Sequence, residues 1–297
     1  MIALAIALSM AGYMILVVVT DWRGLAATIA DLPILLFLKT IALSFFSYLF
    51  RFFRWHLFLH VLKHRVPSMH SLEIYFAAFS FTLTPGKSGE LIRSLYLKRY
   101  GVGYVHSVTA FVAERGMDLI AVGLLAMFVI SVFPAYQSFL VVLLLVSAVL
   151  LVVLRTRIWT LVAKHVSNDR MLRQSTRMAV VMKRLFTLKT LALSLSLSVL
   201  SWGAQGLSLY LISDAMDTGL RLDWAVGIYA LSLLVGALSF IPGGLGATEA
   251  SIIFLLTTVG MAQEEAIAAS LISRVLTLWL AIGLGSLCML RLGFREK

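Results

Sequence analysis

The chain has 297 residues, 61% of them hydrophobic and 13% charged, with a formal net charge of +11. Soluble domains carry about 45–50% apolar and about 25% charged residues, so this composition excludes a soluble domain and indicates an integral membrane protein. The basic excess does not indicate a nucleic-acid partner, because Lys and Arg cluster beside apolar runs, as in cytoplasmic loops that face anionic lipid headgroups. A single cysteine, Cys288, leaves no intrachain disulfide and no cysteine-based metal site.

A membrane-crossing helix needs about 20 mostly apolar residues. Residues 2–19 have no basic leader region and no cleavage signal, so they are expected to be a retained first span. Residues 33–58 form the second span. Residues 68–84 are apolar but stop at Pro85-Gly86, and 85–99 is too polar to cross lipid alone. This pair reads as a helix–break–helix hairpin that dips into the membrane and returns. Spans follow at 104–132 and 137–154. The basic segment 155–189 sets Ile158, Trp159, Leu161 and Val162 among cationic side chains, as an interfacial amphipathic helix does. Residues 190–212 form the fifth span. Residues 224–241 end at Pro242-Gly243-Gly244-Leu245-Gly246, and 247–260 is short, so a second dipping hairpin is expected. Residues 264–292 are the last span. The expected fold is all-α, a polytopic membrane helical bundle over 1–297, with about six spanning helices and two re-entrant hairpins. Unwound backbone at that depth survives only under a cover of protein or water. Taken as ordinary spans, the hairpins would instead give eight crossings.

Lys and Arg set the orientation. The segment 155–189 holds nine of them against Asp169 alone, and should be cytoplasmic. So should Lys63-His64-Arg65, Lys98-Arg99 and the C-terminal Arg291, Arg295 and Lys297. The loops at Pro134, 213–223 and 261–265 should face outward. Both termini then lie on the cytoplasmic side of an inner membrane.

Shifted by 159 residues, the sequence answers itself: Glu90 falls on Glu249, Gly101 on Gly260, Ala110 on Ala269, Arg115 on Arg274 and Leu119 on Leu278. After a two-residue slip, Pro85-Gly86-x-x-Gly89 answers Pro242-Gly243-x-x-Gly246. Each half, about 1–135 and 136–297, reads span, span, hairpin, span, in opposite orientations. An inverted-topology repeat of this kind indicates a transporter with its site near the midplane, at the broken helices.

Glu90, Arg93, Glu114, Arg115, Asp118, Glu249 and Arg274 fall in or beside membrane segments. Exposed to lipid, they would cost on the order of 20 kcal/mol at about 2.5–3.5 each. They must face one another, water or a ligand. Glu90 with Arg115 and Glu249 with Arg274, both at a spacing of 25, are the simplest pairs, with crosswise pairing between the repeats as the alternative. Glu114 and Asp118 share a helix face. A helix N-terminus after a glycine-rich break suits a phosphate, and Lys87 and Arg93 stand next to one. Ligand contact is favoured for Arg93 and Arg115, and structural pairing for Glu249 and Arg274. Pro85, Gly86, Gly89, Pro242, Gly243, Gly244 and Gly246 are the helix breaks. His56, His60 and His64, with Arg51, Arg54, Lys63 and Arg65, read as an interfacial stripe and not a metal site. No catalytic constellation, metal cluster or nucleotide loop stands out, so neither catalysis nor a cofactor is expected.

Thr84-Pro85-Gly86-Lys87-Ser88-Gly89-Glu90-Leu91-Ile92-Arg93, Glu114-Arg115-Gly116-Met117-Asp118 and Pro242-Gly243-Gly244-Leu245-Gly246-Ala247-Thr248-Glu249 together resemble the lysylphosphatidylglycerol synthase transmembrane-domain family. The resemblance covers nearly the whole chain. It implies movement between leaflets of a lipid with a charged or phosphate-bearing headgroup, aminoacylated phosphatidylglycerol or an isoprenoid-linked lipid. The chain ends at Lys297 without a soluble transferase domain, so it is not expected to be the synthase. Arg93 and Arg115 would engage phosphate. Glu90, Glu114 and Asp118 would balance them or meet a cationic headgroup. The partners expected are membrane lipids, with anionic headgroups at the cytoplasmic face. The alternative is an accessory subunit for a separate glycosyltransferase or lipid synthase, docked through 155–189. A lipid-modifying enzyme acting through Glu114 or Asp118 is a third possibility.

Overall fold

The computed structural model of the chain describes residues 28–129, 133–139, 141–142, 144–146, 149 and 169–294. The expected first span 2–19, half of 137–154 and the basic segment before residue 169 lie outside the described residues. The described chain is helical throughout, with no strand. Helix α1 is Ile34–Val61. Helix α2, Ser68–Ala77, runs into a 3₁₀ turn at Ala78–Phe81. A 3₁₀ stretch, Pro85–Ile92, then leads to the short α3, Arg93–Leu97. Helix α4 is Tyr104–Ala126, α5 Asp169–Leu185, α6 Leu188–Asp214 and α7 Leu222–Leu238. Helix α8 is Ala247–Thr258, and α9, Gln263–Arg274, passes through one π turn, Val275–Trp279, into α10, Leu280–Phe294.

Among the described residues three helical runs are long and apolar enough to cross a membrane: α1, α6 and the continuous α9–α10 run, Gln263–Gly293. That is fewer than the six expected. Two expected spans fall wholly or partly outside the described residues. The third, α4, has 23 residues but carries Glu114, Arg115 and Asp118 at its centre. It is long enough, and too charged to face lipid.

Two of these helices bury a polar stripe beside the apolar core. On α1 Thr40, Ser44, Ser47, Arg51 and Arg54 are covered together with Tyr48, Trp55 and Phe58, while Ile34, Leu35, Leu38, Phe46 and Phe53 are exposed. On α6 the covered face is Ser194, Ser198, Ser201, Gln205 and Ser208, with Leu188, Leu193 and Leu200 outside. A helix surrounded by lipid gains nothing by hiding leucines, so small and polar residues take the helix–helix contact. The two serine faces meet: Ser47 Oγ and Ser201 Oγ lie 2.9 Å apart, and Ser201 Oγ donates to the Ser47 carbonyl.

Ser47 is residue fourteen of α1 and Ser201 residue fourteen of α6, 154 positions later. Other contacts exchange in the same way. Tyr48 donates its hydroxyl to the Thr277 carbonyl, and Trp202 donates Nε1 to Asp118 Oδ1 at 2.9 Å. Tyr48 and Trp202 are 154 apart, and Asp118 and Thr277 are 159 apart. Helix α10 packs on α2 and its 3₁₀ turn, while α4 packs on α7. The helix ends match as well. Gly101 and Gly260 both take left-handed backbone, with Val102 N bonded to Leu97 O at 3.2 Å and Met261 N to Leu256 O at 3.1 Å. This is the Schellman closure that glycine permits, repeated at an interval of 159.

Candidate functional site: a cavity between two helix breaks

The breaks are built alike. Lys87 N bonds to Thr84 O at 2.8 Å, and Gly244 N bonds to Ile241 O at 2.8 Å. Each closes a Pro-Gly turn whose glycine, Gly86 (φ 60°) or Gly243 (φ 65°), needs positive φ. The next residue is left-handed too: Lys87 (φ 56°) in one break, Gly244 (φ 65°) in the other. The breaks touch, since Leu83 Cδ2 would stand 2.6 Å from a Cβ on Gly243. Leu83, Leu245 and Leu278 seal this junction.

The amides that follow are already occupied. Gly89 N donates to Thr84 Oγ1 at 2.6 Å, and Gly246 N donates to Glu249 Oε2 at 2.7 Å. The helix N-terminus after Gly246 is therefore capped by its own Glu249, with no anion required.

Both Glu–Arg pairs at spacing 25 form. Arg274 Nε donates to Glu249 Oε1 at 2.6 Å, and its Nη2 donates to the Gly243 carbonyl at 2.9 Å, tying α9 to the break. Arg115 Nη2 lies 3.7 Å from Glu90 Oε2 and 3.2 Å from Asp118 Oδ2. Thr82 donates a further bond to Glu90 at 3.1 Å. The remaining charges join this network through Asp118. Arg93 donates to Glu114, and Arg54 lies 3.6 Å from Glu114 and 2.6 Å from Asp118.

A cavity of about 350 Å³ opens beside this network, within the usual range for small-molecule sites. Its wall comes in matched positions. Arg115 and Arg274, Leu119 and Leu278, Val122 and Ala281, and Asp118 and Thr277 all line it, each pair 159 apart in sequence. The two breaks contribute Gly86 and Lys87 on one side, Gly243 and Gly244 on the other. Helices α1 and α6 contribute Arg51 and Gln205, 154 apart. Tyr229 also lines it, donating to Gln205 Oε1 at 2.8 Å.

Of the charged residues singled out from sequence, Lys87, Arg115, Asp118 and Arg274 stand on the cavity wall. Glu90, Arg93, Glu114 and Glu249 stand behind it. Arg93, expected at phosphate, is 1% exposed and lies under aromatic rings, its Cζ 3.8 Å from the Trp55 centroid, 5.2 Å from Tyr75 and 5.3 Å from Phe111. Sequence reasoning missed Arg51 and Arg54 by placing them at the membrane interface. Both are buried, because α1 continues to Val61 and Arg51 lies about 15 Å inside its end. The signal was present: Thr40, Ser44, Ser47, Arg51 and Arg54 recur at helical spacing on one polar face. His64, beyond the end of α1, lies 2.7 Å from His106, and partial burial, then the neighbouring ring, holds its pKa below 6.5. Among the described residues no group of three or more His, Cys, Asp or Glu side chains could hold a metal ion.

A family model described as the lysylphosphatidylglycerol synthase TM region matches residues 1–285. The chain belongs to this family. It is 23% identical to a UPF0104 membrane protein of Pyrococcus horikoshii, across 94% of this chain and 95% of that one. It is 26% identical to a UPF0104 membrane protein of Methanothermobacter thermautotrophicus, across 68% of this chain and 69% of the other. A phosphatidylglycerol lysyltransferase of Staphylococcus haemolyticus is 32% identical over 77 residues, 26% of this chain and 9% of that enzyme. It is thus an integral membrane protein of this family, with apolar helices outside and a charged cavity within.

Proposed function

We propose that this protein is a lipid translocator, not an enzyme, moving lipids with a charged or phosphate-bearing headgroup between the leaflets of the inner membrane. The carrying observation is the cavity at the junction of the two helix breaks, walled by positions that correspond between the halves. Transporters built from inverted repeats bind their substrates at the repeat interface, where helices are discontinuous. The matched Pro-Gly turns, the matched Schellman closures and the exchanged Tyr48 and Trp202 contacts all support two repeats, about 1–135 and 136–297. In this reading the hairpins are re-entrant, both termini are cytoplasmic, and the glycines of the breaks let the walls move. Arg115 and Arg274 present positive charge to the headgroup while Glu90 and Glu249 hold them in place. Kinship with a family that includes phosphatidylglycerol lysyltransferases agrees with a lipid ligand, and the charges on the cavity wall decide between the aminoacylated and isoprenoid-linked candidates.

The test is reconstitution into vesicles containing a headgroup-fluorescent anionic phospholipid, with a membrane-impermeant quencher added outside. The expected result is loss of the inner-leaflet signal at a rate well above that of empty vesicles, slowed in Arg115→Gln. A rate equal to that of empty vesicles, with the protein folded and inserted, would refute translocation. Stable capture of a lipid-modifying enzyme in the same preparation would then favour the accessory-subunit role.

A further inference from the structure

The buried charges of this site do not cancel. Arg54, Arg93, Glu114 and Asp118 answer one another, two cations to two carboxylates. Arg115 is answered by Glu90 and Arg274 by Glu249. Arg51 and Lys87 are left over, and among the described residues neither has a carboxylate within 4 Å. What they share is one indole. Arg51 Cζ lies 4.9 Å and Lys87 Nζ 5.2 Å from the Trp202 ring centroid, on the cavity wall. Arg51 is 6% exposed, and its buried Nε has no hydrogen-bond partner. An arginine so placed is costly unless something anionic completes it.

The backbone at Lys87 gives a second, independent sign. Lys87 is left-handed at φ 56°, ψ 26°, a conformation unfavourable for any residue with a Cβ. The corresponding position in the other break is Gly244, left-handed at φ 65°, where a glycine removes that strain. The first break keeps a long cation where the fold alone would prefer glycine. Strain held in this way marks a side chain needed for its chemistry. Arg51 likewise corresponds to a neutral residue, Gln205. The two surplus charges thus both come from the first half of the chain, and both lie against the Trp202 ring.

We propose that Arg51 and Lys87 form a phosphate seat in this cavity, and that its preferred ligand is a lipid ending in a phosphate monoester. This rests on the reading of the cavity as a lipid-headgroup site. A phosphomonoester carries about −1.5 to −2 at pH 7, matching two surplus cations, whereas a diester headgroup carries about −1. A zwitterionic headgroup leaves the pair uncompensated. An aminoacylated headgroup brings an ammonium among Arg51, Lys87, Arg115 and Arg274. The one carboxylate on the described wall, Asp118, is already ion-paired with Arg54 and Arg115 and takes a hydrogen bond from Trp202, so the ammonium would have to compete with two arginines for it. The apolar flank at Leu233, Phe240 and Ile241 suits acyl or prenyl chains, which a free phosphate lacks.

The experiment measures binding, independent of movement. The full chain in detergent is equilibrated with fluorescent phosphatidic acid. Unlabelled phosphatidic acid, phosphatidylglycerol, phosphatidylcholine, lysyl-phosphatidylglycerol and inorganic phosphate then compete. Phosphatidic acid should displace the probe about tenfold or more better than phosphatidylcholine or lysyl-phosphatidylglycerol, with phosphatidylglycerol between, as loss of charge-assisted hydrogen bonds implies. Lys87→Gly should flatten this order while its melting temperature holds or rises. Arg51→Gln should flatten it too; if that variant does not fold, Lys87→Gly decides alone. Equal displacement by phosphatidylcholine or lysyl-phosphatidylglycerol would overturn the proposal. So would a Lys87→Gly variant that keeps the preference. Inorganic phosphate competing as well as phosphatidic acid would make this a free-anion site and refute the lipid ligand. Selective binding by a protein that moves no lipid leaves this inference standing and removes the translocator.

Discussion

Glu114→Gln should be among the most damaging single substitutions in the molecule, and Arg93→Met should partly rescue it. Glu114 takes a hydrogen bond from Arg93 and lies 3.6 Å from Arg54, with every member of the group buried. Without its charge, Arg54 and Arg93 are left with one carboxylate, Asp118, which is 2.6 Å from Arg54, is shared with Arg115 at 3.2 Å and is not in contact with Arg93. Arg93 would keep only its aromatic neighbours, and cation–π contacts supply about 0.5–2 kcal/mol each. Breaking a buried ion pair on one side costs about 3–5 kcal/mol. That corresponds to a fall in melting temperature on the order of 10 °C. Arg93→Met alone should cost less, because Glu114 still has Arg54. In the double variant Arg54 and Asp118 remain as a neutral pair, so it should melt above Glu114→Gln. Thermal unfolding of the four proteins in one detergent completes the cycle. A double variant that melts at the sum of the two single losses would refute the coupling of Arg93 to Glu114. Arg93→Met should also leave the lipid preference of the cavity intact, since Arg93 stands behind the wall.

Tyr48→Phe removes the donor to the Thr277 carbonyl in the π turn, and an orphaned buried carbonyl costs about 1–3 kcal/mol; an unchanged melting temperature would show that carbonyl to be satisfied otherwise. Gly285→Ala would place a Cβ 2.6 Å from Ser80 N and 2.8 Å from Phe76 O, forcing α10 off the first hairpin. Its expected cost is about 1–3 kcal/mol, read as a lowered melting temperature. The His64–His106 contact should loosen in acid. The folded pKa of His64 is depressed, so the stability it contributes is present above the unfolded value of 6.5 and is lost as pH falls through the folded pKa. Protease sensitivity of the turn at 62–67 should rise below that pH in the parent and stay flat in His64→Gln.

Much of the site was legible in the sequence because its parts obey local rules. Pro-Gly followed by a second glycine announces a turn that needs positive φ, and both breaks adopt it. A spacing of 25 between Glu and Arg, occurring twice, announces a repeated pair, and both pairs form. Arg51 and Arg54 were not legible as buried, because charge density near Lys63-His64-Arg65 argued for the interface. Only the length of α1 shows how deep they sit. The correspondence of α1 with α6 was hidden for a different reason: its interval is 154, not 159, and its matched residues are serines, which recur everywhere in membrane helices. Nor does sequence distinguish a wall residue from one behind it. Arg93 and Arg115 look equivalent on paper. One is enclosed by Trp55 and Tyr75, and the other lines the cavity, as Arg274 does.

The proposed symmetry has a consequence for chemistry. Two related halves produce a cavity with related walls, yet a lipid has a polar end and an apolar end. Whatever tells one end from the other must break the correspondence. The departures are few and they agree in direction. Arg51 answers Gln205, Lys87 answers Gly244 and Asp118 answers Thr277, so ionisable wall groups without a charged counterpart belong to the first half. At the other break Phe240 and Ile241 stand at the mouth, and the positions 157 earlier are Leu83, which is buried, and Thr84. Phe240 is 78% exposed and left-handed at φ 54°, an uncommon conformation for a bulky side chain. The first break thus contributes charge at the cost of a strained lysine, and the second contributes an apolar lip at the cost of a strained phenylalanine. Matched positions hold the cavity together, and the unmatched ones give it a polar side and a greasy side, which is the shape of a lipid headgroup joined to its chains.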